Sequence, residues 1–181
     1  MKKTAALLLA LLLCLSLFSG CGAHEDEDEA TDAEKNVAAA STRTMPAVDP
    51  ALITDDDYQI FGVDASTTVF KISGIFSQRF PLVTPDGDSL TFLFQLTNSS
   101  KYADEYTIAL WQSDGTSMTY VGSYYIPADG GTYECTFTGL SAQTYRPVLS
   151  VDAGDATGYL AIEGGHTGAV STPENPDEEA E

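Results

Sequence analysis

The sequence predicts an all-β fold, an antiparallel β-sandwich of about seven to nine strands. Three observations carry this. Between about Asp57 and Glu163 the apolar residues recur at every second position, the period of a strand with one buried face. Asp-Gly pairs stand between those runs, in PDGD (Pro85–Asp88), SDGT (Ser113–Thr116) and PADGG (Pro127–Gly131), and both residues tolerate the positive φ of tight turns. Outside the N-terminal apolar block, no segment keeps the helical apolar period of about 3.6 residues.

Each element can be justified in order. Tyr58 to Val63 forms the first strand, with Gly62 marking a bulge. TVFKISGIF sets Phe70, Ile72 and Phe76 on one face, against Lys71 and Ser73. SLTFLFQLT aligns Leu90, Phe92, Phe94 and Leu96, and EYTIALWQ aligns Tyr106, Ile108 and Leu110 opposite Thr107, Ala109 and Trp111. Met118 to Ile126 follows the SDGT turn as a hairpin partner. TYECTFTG turns Tyr133, Cys135 and Phe137 inward, and Tyr145 to Val151 and Tyr159 to Ile162 complete the set. Pro147 lacks a backbone N–H, which predicts an edge strand or a bulge there.

The ends have a different texture. Met1, Lys2 and Lys3 precede an apolar block from Ala5 to Phe18, closed by Ser19 and Gly20. That is the layout of a secretory signal, too short for a comfortable membrane span. Residues 1–20 are therefore expected to be a signal peptide, 21–52 an acidic disordered linker, 53–164 the sandwich domain and 165–181 a disordered acidic tail. Glu25, Asp26, Glu27, Asp28 and Glu29 crowd the linker, and Glu174, Asp177, Glu178, Glu179 and Glu181 the tail. Like-charge blocks of this kind repel and stay solvated. About 30 residues of such coil span roughly 30 Å. Removing Lys2 and Lys3 with the signal leaves a formal balance of 6 − 27 = −21. This excludes nucleic acid, whose phosphates need basic partners, and electrostatic adhesion to anionic lipid.

Phe18-Ser19-Gly20-Cys21 resembles the bacterial lipobox, with Phe18 where leucine is usual. The resemblance implies cleavage before Cys21, a thioether-linked diacylglycerol on its sulfur and further acyl chains, a palmitate-type anchor strong enough for stable attachment. The protein is accordingly expected outside the cytoplasm, tethered to the bacterial cell membrane in the envelope. TFTGLSAQTYRPVLSV is similar to the tyrosine corner of immunoglobulin-like and fibronectin type III modules, with Leu140 and Tyr145 at the matching positions. That implies an Ig-like or jelly-roll-like sandwich, with the tyrosine hydroxyl bonded to nearby backbone.

Catalytic chemistry is not signalled. The two histidines, His24 and His166, fall in the acidic flanks, away from a scaffold that could hold a triad. Cys135 lies on the predicted core face, where a thiol is a small hydrophobe; with Cys14 in the signal and Cys21 acylated, it has no disulfide partner. Clusters suited to zinc and a GxxxxGK phosphate loop are absent. Acidic pairs such as Asp152 with Asp155 support a small carboxylate-based hydrolase only weakly. Asp86 and Asp88 are weak calcium candidates, and no other cofactor is implied. The remaining candidates are aromatic. Trp111 alternates away from the core side of its strand, and Tyr120, Tyr124 and Tyr125 on the next strand extend a platform that can stack on a sugar ring. The expected function is a lipid-anchored, non-catalytic β-sandwich binding module for a glycan, a cell-wall polymer or a protein. The alternative is a structural or assembly partner acting through strand addition at an edge such as Tyr145 to Val151.

Overall fold

The computed structural model describes residues 35–168. Residues 1–34, which hold the expected signal peptide, Cys21 and His24, and residues 169–181 of the acidic tail lie outside the described residues. In chain order the strands are β1 (Ala39–Ala40), β2 (Tyr58–Asp64), β3 (Thr67–Ile75), β4 (Ser77–Arg79), β5 (Val83–Pro85), β6 (Ser89–Asn98), β7 (Glu105–Ser113), β8 (Met118–Pro127), β9 (Thr132–Thr138), β10 (Thr144–Val151), β11 (Ala156–Glu163) and β12 (Gly165–Thr167). Eight of these have seven or more residues, and β1, β4, β5 and β12 have only two or three. A single 3-10 turn, Pro50–Leu52, is capped by Asp49, whose carboxylate accepts from the Ala51 N–H at 2.9 Å.

Two antiparallel sheets form the sandwich. One has the order β1-β9-β6-β11-β3-β2, the other β12-β5-β10-β7-β8 with β4 also beside β10. Their inner faces share one core. Phe70, Ile72, Leu90, Phe92, Phe94, Leu160 and Ile162 come from the first sheet, and Tyr106, Ile108, Leu110, Ile126, Tyr145 and Leu149 from the second. The period-two pattern thus has its physical cause in burial: every second side chain leaves water for this interior. Phe70 and Phe80 meet edge to face at 4.9 Å, and Phe92 and Phe137 at 5.4 Å.

Several elements differ from the expectation. Phe76 leaves the core face and is 58% exposed, because Gly74 takes φ +64° and turns the chain before it. PDGD and PADGG step from one sheet to the other, and only SDGT closes a hairpin between paired strands, β7 and β8. At the ends, Gly165–Thr167 pair with β5, inside the stretch assigned to a disordered tail. Residues 35–48, assigned to the linker, form a strap along the open side of the sandwich. The Ala38 N–H donates to the Tyr125 carbonyl of β8 at 2.8 Å, Ala39 and Ala40 pair with β9, and Ala38 itself is buried. Farther on, Met45 and Val48 cover a second apolar row on the outer face of the first sheet, Phe61, Val69, Ala161 and Leu93. These four are register neighbours across β2, β3, β11 and β6. The apolar residues of the strap are too sparse to show a period, so composition alone places it with the acidic flank.

The largest correction concerns β10. It is not an edge: β7 pairs along one side, and β4 and β5 pair along the other. Pro147 is accommodated because its missing N–H points at the break between β4 and β5. There the Phe80 N–H donates to the Pro147 carbonyl at 3.0 Å, and the Phe80 carbonyl, left without the proline's donor, accepts from Arg146 Nη1 at 3.0 Å. A guanidinium replaces the absent ladder bond.

Candidate functional site

The outer face of the second sheet carries the site. Alternation along β7 sends Tyr106, Ile108 and Leu110 inward and Trp111 outward, as the sequence implies. On β8 the simple alternation fails. Leu110 pairs with Gly122 but Trp111 pairs with Tyr120, so Val121 is an extra, bulged residue. The bulge reverses the facing of everything before it. Tyr120 therefore stands outward beside Trp111, edge to face at 5.3 Å. Tyr124, four residues later, points into the sandwich, edge to face with Phe137 at 5.1 Å, with its hydroxyl donating to the Thr136 carbonyl at 3.0 Å. Tyr125 is on the outer face but stands opposite Thr107, toward the strap, with the Lys35 ammonium 4.0 Å above its ring. Of the four aromatic candidates, two come together and two do not.

Trp111 is half-buried. It lines a groove of about 310 Å³ with Arg79, Met118, Arg146 and Val148, within the size range of small-ligand sites. The groove continues into a wider depression bordered by Leu82, Ser113, Thr116 and Ser117, sharing Arg79, Met118 and Arg146. Arg146 and Val148 are outward residues of β10, and Arg79 is the register partner of Val148 on β4. Ser77–Arg79 is too short to show a period, and the outward Arg146 draws notice only once Trp111 is seen beside it. These are the site residues that sequence reasoning missed.

The electrostatics are unusual for so acidic a chain. Lys35 pairs with Glu105 at 2.6 Å and Arg43 with Glu163 at 2.7 Å. Lys71 caps the Thr54 and Asp56 carbonyls, and Lys101 lies 4.9 Å over the Tyr102 ring. Among the described residues, Lys71, Arg79 and Arg146 have neither a carboxylate within 4.0 Å nor an aromatic ring beneath the charge, and of these three Lys71 is taken up by its two backbone carbonyls. Arg146 makes its one bond to Phe80, and the Arg79 side chain makes none. Asp114, in the hairpin at the groove's end, is committed elsewhere: its carboxylate accepts from the hydroxyls and backbone N–H groups of Ser117 and Thr116. The Ser117 hydroxyl foremost holds it far below the usual carboxylate range.

The other candidates are scattered. His166 lies on β12, paired with Thr84 of β5, and its Nδ1 meets the Asp86 carboxylate at 2.9 Å. Bonds from Ser66 and then His166 lower the Asp86 carboxyl. Asp88 gives only its carbonyl, to the Leu140 N–H at 2.8 Å. Among the described residues no group of three or more His, Cys, Asp or Glu side chains is arranged to hold a metal ion. Cys135 is buried, and burial pushes its thiol up to about 12, which keeps it protonated and unreactive at neutral pH. The Tyr145 hydroxyl accepts from the Ser141 N–H at 2.9 Å, and Leu140 is buried beside it, the bond expected of the corner. Within the groove, none of the lining side chains is a general acid or base at neutral pH. Its lining presents a flat aromatic, two apolar side chains and two cationic forks.

No protein-family model matches the chain, and a search of curated proteins finds no match. Among solved structures, the chain is similar to the Yersinia pseudotuberculosis-derived mitogen at 12% identity, covering 59% of this chain and 90% of that one, with a TM-score of 0.37. It is also similar to a CBM4 structure at 14% identity, covering 60% of this chain and 76% of that one, with a TM-score of 0.31.

Proposed function

We propose that the protein is a membrane-anchored lipoprotein that presents this sandwich outside the cytoplasm as a non-catalytic binding module. The observation that carries the binding role is the half-buried Trp111 in a groove with Arg79 and Arg146. Aromatic side chains that neither join the core nor lie singly on the surface tend to be contact residues. The anchor rests on Lys2, Lys3, the apolar block and the Phe18-Ser19-Gly20-Cys21 sequence. The groove's ligand is a polymer of the envelope or its surroundings, with a flat ring to stack on the indole.

Trp111 is the chain's single tryptophan, so its fluorescence has one source even in the full chain held in mild detergent. Titration with polysaccharides should shift the emission and protect it from acrylamide. Trp111→Ala should weaken retention by the same polymer about fivefold or more, on the scale of about 1–3 kcal/mol that a base stacked on an aromatic side chain contributes. Equal retention of the variant would remove the groove as the binding site. For the anchor, mass spectrometry of the chain from bacterial membranes should find Cys21 N-terminal and lipidated, and Cys21→Ser should abolish the modification. An unmodified Cys21 in a chain still carrying its signal segment would overturn that part.

A further inference from the structure

We infer that the groove selects a glycan bearing carboxylates, with Arg79 and Arg146 as the residues that read the charge. This deepens the binding reading and rests on it. The described residues carry 6 basic and 15 acidic side chains, a formal balance of 6 − 15 = −9. In such a field a guanidinium finds an acidic neighbour easily, as Arg43 does with Glu163 and Glu134. Two guanidiniums that share one groove without a carboxylate repel each other, and the fold needs only one bond from one of them. The nearest hairpin acid, Asp114, is turned onto its own hydroxyl and amide donors.

The unspent donors fit a planar, bidentate acceptor. Arginine's fixed fork matches a carboxylate, which then gains two parallel charge-assisted bonds. The Trp111 face supplies the flat apolar surface that the underside of a sugar ring needs. A sugar acid presents both features at the spacing of one ring. An acidic peptide could use the same forks, as acidic motifs do at arginine clusters, but a run of aspartate or glutamate side chains offers no ring for the Trp111 face in this groove. Net repulsion from the whole domain disfavours a polyanion held by charge alone. Stacking and the forks must therefore act together.

The test compares polygalacturonate and hyaluronan with fully methyl-esterified polygalacturonate, which keeps the ring and removes the charge, and with poly-L-glutamate. The full chain in mild detergent is titrated and read by Trp111 emission and by retention in affinity gels. The expected result is binding of at least one acidic glycan, with the methyl ester and poly-L-glutamate weaker by tenfold or more. Arg79→Gln, at a side chain with no bond to lose, should weaken acidic-glycan binding about tenfold or more, the scale of a charge-assisted bond. Equal binding of ester and acid, or an Arg79→Gln variant that binds as the parent does, overturns the charge inference and leaves the glycan groove standing. Binding of poly-L-glutamate alone replaces the glycan by an acidic peptide. No response to any glycan, acidic or neutral, overturns the underlying binding reading as well.

Discussion

Tyr106 and Tyr145 are both almost wholly buried, at 1% and 2% exposure, but their hydroxyls differ. Tyr145 accepts from the Ser141 N–H at 2.9 Å and meets the Ser141 hydroxyl at 3.0 Å. The Tyr106 hydroxyl has no bonded partner. Removing the satisfied hydroxyl takes away a bond made by the Ser141 N–H, whereas removing the unsatisfied one takes away none. Tyr145→Phe should therefore cost about 0.5–1.5 kcal/mol, and Tyr106→Phe should be neutral or stabilising by up to about 1 kcal/mol. Urea unfolding of the two variants against the parent checks the contrast, and equal losses would refute it. Arg146 offers the same logic on the surface. Its bond to Phe80 stands in for the donor that Pro147 lacks, so its role is structural and recognitive at once, and Arg79 is the cleaner probe of the ligand. The Tyr145 hydroxyl bond was legible in the sequence, because a leucine, a short turn and a tyrosine are local features. The Arg146–Phe80 bond spans 66 positions, and no local pattern signals it.

At the scale of elements, legibility followed periodicity. The eight long strands all lie in stretches where alternation or turn residues are visible, because each buries one face and needs several residues to do so. Two- and three-residue strands have no period to read, which is why β1, β4, β5 and β12 are invisible in the sequence. With them go the strap, the central place of β10 and half of the groove. The bulge at Val121 is the other hidden device: one unpaired residue separates Tyr120 from Tyr124, although their spacing of four predicts a shared face. The strap's importance can be tested at Ala38, which is 5% exposed and joins the main core. Ala38→Asp would set an unpaired carboxylate at the seam between the sheets. It should cost about 2 kcal/mol or more and leave the β8 and β9 edges open to pairing with other chains. The check is urea unfolding combined with sedimentation. An Ala38→Asp variant as stable and as monodisperse as the parent would show the strap to be decorative.

The whole molecule's response to pH combines opposed effects whose signs can be worked out. Asp86, Asp114 and Asp129 all titrate below the usual carboxylate range, held down first by bonds from Ser66, Ser117 and Tyr133 respectively. A lowered carboxyl contributes stability above its unfolded value of about 4, and that contribution is lost as pH falls through the folded value. All three are exposed, so salt weakens the effect. Against this stands the formal −9 of the described residues, 6 − 15. The mutual repulsion of that charge opposes the compact state at neutral pH and is screened by salt. At the alkaline end the direction reverses in origin. Burial raises the Tyr58 and Tyr106 hydroxyls, so their contribution is intact below the unfolded value of about 10 and is lost as pH rises above it. The urea midpoint should therefore fall as pH drops below about 4 and fall again above about 10. Added salt should raise it at pH 7, where repulsion dominates, and Tyr106→Phe should flatten only the alkaline limb. A midpoint unchanged between pH 5 and 3 would show that the three exposed turn carboxylates are too well screened to matter. An alkaline fall that Tyr106→Phe leaves untouched would assign that limb to Tyr58 instead.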